Sequence, residues 1–272
     1  MPPGRLALYA ATLGVFLVSL RAIAGRPPSL VWAVGMLVGY VALVLLSVFV
    51  LRWRVFVDAI VRAPRGARGV ALTFDDGPDP IWTRRVLDTL DARGVRATFF
   101  VIGRKAEQHP DVVRDIVTRG HAVGVHSFAH DRLFALRSSA TVRADVELAI
   151  DVVERATGFR PLLFRPPIGH TNPAIARVVD ALNLVTIGWT VRGGDARARA
   201  TPAEVESRVR RGLRDGVIIA LHDAPERGAR EPAVVRALPA ILDAIEAARL
   251  DVVPLGPWVQ TYHQGEAAGN RT

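Results

Sequence analysis

The chain has 272 residues, half of them hydrophobic, with Lys+Arg 35 against Asp+Glu 26 and a net charge of +9. Cys is 0, which excludes disulfides, Cys-ligated zinc, iron–sulfur clusters and thiol nucleophiles. The apolar content excludes a disordered chain, and the basic balance invites a nucleic-acid partner only until the charge is located.

Eight arginines (Arg5, Arg21, Arg26, Arg52, Arg54, Arg62, Arg65 and Arg68) and one acid, Asp58, lie within residues 1–68, a net of +7. The other 204 residues carry only +2. The basicity therefore belongs to the N-terminal quarter. No aromatic-interleaved basic patch or recognition motif occurs in the body, so no nucleic acid is expected.

Leu6 to Leu20 is uncharged, and Arg21 can snorkel and let a helix continue to Ala24. Ser29 to Leu51 is a second uncharged run of 23 residues, enough for a span that needs about 20. Trp32, Tyr40 and Trp53 stand where interfacial aromatics anchor a span. The rival reading of the first run is a signal peptide with Ala22-Ile23-Ala24 as its cleavage box, against which Arg21 counts. The expectation is two transmembrane helices at about 6–24 and 29–51 within an anchor of residues 1–54. A basic juxtamembrane linker over 55–68, a catalytic domain over 69–262 and a flexible tail over 263–272 follow. The protein is then integral to a membrane, with a bacterial inner membrane as the expected compartment and the lipid bilayer as a partner. Arg5 and the arginines from Arg52 to Arg68 flank the outside of the helix pair, and the positive-inside rule places the domain in the cytoplasm. A cell-wall polymer as substrate would require it outside.

From Gly69 onward, short apolar runs alternate with amphipathic stretches. Strands are expected at Val70–Phe74, Ala97–Ile102, Ala122–His126, Leu162–Arg165, Val185–Val191, Val217–His222 and Val252–Leu255. Asp79-Pro80, Asn172-Pro173 and Thr201-Pro202 each offer an N-cap followed by proline at the first helical position, and a fourth helix opens near Glu231-Pro232. About seven strands alternating with helices imply an α/β domain with a parallel sheet. The length suits an incomplete (β/α) barrel, since a full one takes roughly 250 residues. No Gly-x-Gly-x-x-Gly and no Walker motif supports a nucleotide-binding fold.

Polar clusters follow five of these strands: Asp75-Asp76-Gly77-Pro78, His126-Ser127-Phe128-Ala129-His130, Arg165-Pro166-Pro167-Ile168-Gly169-His170, Arg192-Gly193-Gly194-Asp195 and His222-Asp223. Singly, each has a plain structural explanation: turn chemistry for the first, a core histidine or a salt-bridge partner for others. In a parallel βα domain, however, all strand C-termini meet on one face. One carboxylate and two imidazoles suit a divalent zinc-like ion with positions left open for water and substrate. A second carboxylate can take a proton from water, and a separate histidine can protonate a leaving amine. The set reads as metal-assisted hydrolysis.

These motifs resemble the NodB-homology polysaccharide deacetylases, carbohydrate esterase family 4. The resemblance rests on Thr73–Pro78, His126–His130 and Arg165–Gly169 and covers about Gly69 to Val259. It implies a distorted, incomplete (β/α) barrel that removes N-acyl, chiefly N-acetyl, groups from a polysaccharide or glycan. It further implies Asp75 as general base, with Asp76, His126 and His130 as ligands of a divalent ion, Zn2+ foremost and Co2+, Mn2+ or Ni2+ as alternatives. Arg165 would orient Asp75, and His222 would be the general acid with Asp195 as its charged partner. Pro167, Ile168, Gly169, Trp189 and Ala220 would contact substrate, with a backbone N–H near Ile168 aimed at the oxyanion. The family often has Tyr at the place of Ile168, Trp after the aspartate where Ala196 stands, and Leu at the place of Ala220. Some relatives act on sugars carried by polyprenyl phosphate, which is the alternative substrate. An inactive glycan-binding module is the alternative of another class. His170 is expected to be a loop residue, and His109, His121 and His263 structural or exposed.

Overall fold

A computed structural model describes residues 1–197, 199–228 and 230–269, with side chains through Tyr262 apart from the two gaps. The chain opens with two helices, α1 (Pro3–Ile23) and α2 (Leu30–Phe49). Both are long and apolar enough to cross a bilayer, and only 0% and 6% of their most apolar windows are buried. Neither helix is packed into the domain along its most apolar stretch. The Thr12 and Tyr40 hydroxyls meet at 3.1 Å and tie the pair together.

The domain is one eight-stranded sheet of β1 (Ala59–Ile60), β2 (Ala71–Asp75), β3 (Thr98–Val101), β4 (Ala122–Val125), β5 (Leu163–Phe164), β6 (Val185–Ile187), β7 (Val191–Arg192) and β8 (Ile218–His222). Its order is β1-β6-β5-β4-β3-β2-β8-β7, and every pairing between these strands is parallel. This is the expected incomplete barrel. The crossovers carry α3 (Trp82–Ala92), α4 (Gly103–Gln108), α5 (Pro110–Thr118), α6 (Ser139–Thr157), α7 (Pro173–Ala181), α8 (Pro202–Gly212) and α9 (Ala233–Ala247), followed by α10 (Leu255–Gly269).

Local chemistry sets the helix starts. Ser138, Asn172 and Thr201 each accept a backbone N–H three residues on, and Thr201 with Glu204 forms a capping box. Asp79 departs from expectation. Its Oδ1 accepts from the Ile81 and Trp82 amides at 2.8 Å, making a turn before α3 rather than opening it at Pro80.

Four further expectations are corrected. Val185–Val191 is two strands, not one, and they join opposite stretches of the sheet. Gly188 N donates to Ile60 O and Thr190 N to Ile218 O, so the chain passes from β6 to the edge beside β8 within four residues. Val252–Leu255 forms only an isolated bridge from Val252 to Val70. The segment 55–68 is not a bare linker: it supplies β1 and buries Val55, Val57, Ala59, Ile60 and Ala63. At the other end α10 carries helical backbone past the expected boundary at 262, while 270–272 lie outside the described residues.

Side-chain alternation then positions the site. On β2, Leu72 and Phe74 join the core under the helices, while Ala71 joins the separate cluster inside the barrel. With period two, Thr73 and Asp75 point inward with Ala71. On β8, Ile219 and Leu221 face the helices, which turns Ile218, Ala220 and His222 inward. The β2–β8 register pairs Thr73 with Ala220 and Asp75 with His222.

Candidate active site

The inward side chains at the strand C-termini converge on one open cavity of about 300 Å³. It is lined by Asp75, Asp76, His126, His130, Ile168 and His222 among others. Four of the chain's positive-φ non-glycine residues are found here: Asp76 (φ 72°), Ser127 (63°), His130 (50°) and Ile168 (59°). Each such residue costs roughly 1 kcal/mol or more, and such strain clusters where function re-aims side chains. For Asp76 the reason is visible. A regular strand would turn it away from Asp75; the left-handed step brings both carboxylates to the cavity.

Arg165, at the end of β5, is fully buried. Its Nη1 donates to Asp75 Oδ1 at 2.6 Å and to Thr73 Oγ1 at 2.9 Å. Nε and Nη2 donate to the carbonyls of Ile187 and Gly188 at 3.1 and 3.0 Å. Its guanidinium lies 4.2 Å from the Phe100 ring centroid. Burial pushes the Asp75 carboxyl up, but the charge and hydrogen bond of Arg165, aided by the His222 cation, outweigh it, so Asp75 is held below its ordinary value and ionised.

His126 Nδ1 lies 2.7 Å from Arg165 O. A carbonyl only accepts, so Nδ1 carries the proton and Nε2 presents its lone pair. Burial lowers this ring to about 4, which keeps it neutral. Nε2 of His126 and of His130 lie 3.7 and 3.3 Å from Asp76 Oδ1. The His126–His130 loop is fixed by Asp145 of α6, which accepts from the Phe128 and Ala129 amides at 2.7 and 3.0 Å, and by Ser127 Oγ, which accepts from the His130 amide at 2.9 Å.

His222 N and Nδ1 contact the two oxygens of buried Asp195 at 2.7 and 3.1 Å. Burial lowers the imidazole pKa, yet the Asp195 carboxylate overrides it and the ring is raised to about 9. His222 is thus a cation at neutral pH, oriented by Asp195.

Of the five expected substrate contacts, Ile168, Gly169 and Trp189 line the cavity. Pro167 and Ala220 are buried behind it and do not. Pro167 opens the Pro167–Gly169 turn and is buried in it, and Ala220 lies two residues below His222 along an inward strand face. His170 is outside the cavity, packed on Phe49. His121 is structural: its Nδ1 accepts from the Ala97 amide at 3.1 Å. His109 ends α4 and precedes α5, and the His263 side chain lies outside the described residues.

The sequence reading missed two participants. Lys105, the only lysine in the chain, donates to Asp76 O and Pro225 O at 2.7 and 2.6 Å. Glu226, on the cavity wall, sits 3.7 Å from His130 Nδ1 and pairs with Arg132. Asp223 turns away from the cavity to Thr83, and burial raises it to about 7. Being the one lysine among so many arginines marked Lys105 as unusual, but nothing in the sequence showed which carbonyls its ammonium reaches.

A polysaccharide deacetylase family pattern matches residues 62–187. A peptidoglycan-N-acetylglucosamine deacetylase of Bacillus cereus is 34% identical over 184 residues, which cover 65% of this chain and 83% of that protein. The chain belongs to the polysaccharide deacetylase family. It is also 38% identical over 154 residues to the peptidoglycan-N-acetylglucosamine deacetylase PgdA of Listeria monocytogenes, covering 57% of this chain and only 32% of that one. Among solved structures, the peptidoglycan N-acetylglucosamine deacetylase Bc1960 superposes with TM-score 0.68 and 28% identity over 73% of this chain and 91% of that one. BA3943 of Bacillus anthracis, a pseudoenzyme of carbohydrate esterase family 4, gives 0.66 and 25% over 73% and 67%.

As a polysaccharide deacetylase, the chain is a hydrolase of carbon–nitrogen bonds other than peptide bonds. Family members are metal-dependent, and the residues present fit a metal. Ligand atoms of Asp76, His126 and His130 lie within 4.8 Å of one another, all three residues are buried, and Asp76 Oδ1 has no hydrogen-bond partner. A buried carboxylate oxygen left unpartnered beside two imidazole nitrogens suits an ion better than any protein contact.

Proposed function

We propose that this chain is a membrane-anchored, metal-dependent deacetylase that removes an N-acyl group, foremost N-acetyl, from a glycan sugar. The observation that carries it is the pairing of Asp75 with His222 across β2 and β8, in the same cavity as the Asp76–His126–His130 triad. Asp76, His126 and His130 would hold a divalent ion, Zn2+ foremost, which when bound would supply Lewis acidity to the amide carbonyl. Asp75, kept ionised by Arg165, accepts a proton from the attacking water. His222, kept protonated by Asp195, delivers a proton to the nitrogen as the carbon–nitrogen bond breaks, so that the free amine and the carboxylate leave. The backbone at Ile168, on the cavity wall, supplies the oxyanion donor.

An inactive binding module is disfavoured, because the proposed base, acid, orienting arginine and three metal ligands are all present at one cavity. The two apolar helices, read as an anchor, and the positive-inside placement are compatible with a sugar on a polyprenyl-phosphate carrier as the second substrate reading, on the cytoplasmic face.

Acyl release decides between them. The full chain in detergent with Zn2+ is expected to release acetate from an N-acetylated peptidoglycan fragment, a chitooligosaccharide or a lipid-linked N-acetyl sugar, with formate measured in parallel. Absence of acyl release from all three overturns the hydrolase reading. Alkaline phosphatase fused after Thr272 tests topology; strong phosphatase activity sinks the cytoplasmic placement.

A further inference from the structure

Phe49, the last residue of α2, packs edge-on against His170, with ring centroids 4.8 Å apart at 87°. Thr171 N donates to Val48 O at 3.0 Å. The end of α2 is therefore seated on the residues that directly follow the Pro167–Gly169 turn of the cavity. One residue on, the Asn172 side-chain amide donates to Ala135 O at 2.5 Å. Ala135 belongs to the loop that leaves His130.

That loop, Asp131–Arg137, has an unusual distribution of apolar groups. Phe134 and Ala135 are buried in the domain, whereas Leu133 and Leu136 are 56% and 77% exposed. Arg132 and Arg137 flank them. The loop is held in shape: Asp131 accepts from the Leu133 amide at 2.9 Å and pairs with Arg137 at 2.6 Å. It also borders the cavity, since Arg132 lines the wall and pairs with Glu226.

Scattered exposed leucines are ordinary. The position of these two is the informative fact. A chain of direct contacts, Phe49 to His170, Thr171 to Val48 and Asn172 to Ala135, places them beside the point where a 20-residue apolar helix meets the domain. Ser47 is buried and the next residue, Val48, packs on the domain core, so the domain meets α2 in its last turn. We propose that the Asp131–Arg137 loop is a second membrane contact, with Leu133 and Leu136 entering the interfacial layer of the leaflet from which α2 emerges. The occupant is the bilayer of the anchor itself. Two exposed leucines on a loop held in shape match an acyl boundary at the interface, and a tethered loop meets that surface permanently. This rests on reading α2 as a span. Its consequence is that the cavity opens at headgroup level, so the reacting sugar is one held close to the membrane surface.

The absence of native cysteine makes the test clean. The full chain is placed in lipid nanodiscs with a single environment-sensitive fluorophore on Leu133→Cys, Leu136→Cys, Val38→Cys or Leu162→Cys. Val38 is exposed in the middle of α2; Leu162 is 55% exposed just before β5, at the opposite end of the strands. Lipids spin-labelled near the headgroup end of the acyl chain and, separately, at its far end serve as quenchers. The expected result is at least a twofold loss of emission at Leu133→Cys and Leu136→Cys with the shallow quencher, at Val38→Cys with the deep one, and none at Leu162→Cys. Quenching at Val38→Cys with both loop labels behaving like Leu162→Cys overturns the loop contact and leaves the span standing. No quenching at Val38→Cys overturns the span and the loop contact together.

Discussion

Asp75 and His222 are register partners on adjacent strands, yet they carry opposite charges because each has a buried partner of its own. Arg165 lies 2.6 Å from Asp75, and Asp195 lies 3.1 Å from His222 Nδ1. An ionised base and a protonated acid thus coexist at one cavity.

The His222–Asp195 pair predicts an alkaline limb. His222 has a folded value of about 9 against an ordinary 6.5, so the stability it contributes is fully present below the unfolded value and is lost as pH rises through about 9. The log of kcat/KM against pH should fall with an apparent pKa near 9, and Asp195→Asn should move that limb toward neutrality. An unchanged limb in Asp195→Asn would remove Asp195 from its proposed role.

Arg165→Met should be the most damaging single change at the site. It leaves Asp75 buried without its cation and unpairs two carbonyls, a loss of roughly 3–5 kcal/mol for a broken buried pair. Thermal unfolding measures it. In wild type the depressed value of Asp75 gives stability above the unfolded carboxylate value that is lost as pH falls through the folded one. In a folded Arg165→Lys variant, which keeps charge but not the fork geometry, the acid limb of kcat/KM should move upward.

Asp75→Asn should lower kcat by about 10²–10⁴ while Zn2+ binding persists, since the proposed base is lost but no ligand is. Calorimetric Zn2+ titration of Asp75→Asn, compared with His130→Ala, reads the two functions separately. Undiminished turnover in Asp75→Asn refutes its role.

Lys105→Met should weaken Zn2+ binding by about 10–100-fold although Lys105 is not a ligand, because its ammonium fixes the Asp76 backbone. Lys105→Arg should not rescue it. Equal Zn2+ affinity in Lys105→Met and wild type would show the contact to be dispensable.

The site was legible because its chemistry is written in short motifs. Asp75-Asp76, His126-x-x-x-His130, Arg165 and His222 each stand at a strand end, and period-two alternation with a parallel βα order suffices to send them to one face. Lys105, Glu226 and Asp145 were not legible: their roles depend on which carbonyl, imidazole or amide lies opposite, and those partners are 29, 96 and 17 residues away in sequence.

By itself the sequence determined the parallel α/β class, the two apolar helices and the set of reactive side chains, because all three follow from local periodicity, length and residue chemistry. Tertiary structure alone decided that Val185–Val191 divides between two parts of the sheet, that residues 55–68 complete the barrel, and that Phe49 of α2 rests on His170 beside the cavity. Those outcomes depend on backbone pairing and side-chain contact between segments far apart in the chain, which no local pattern encodes.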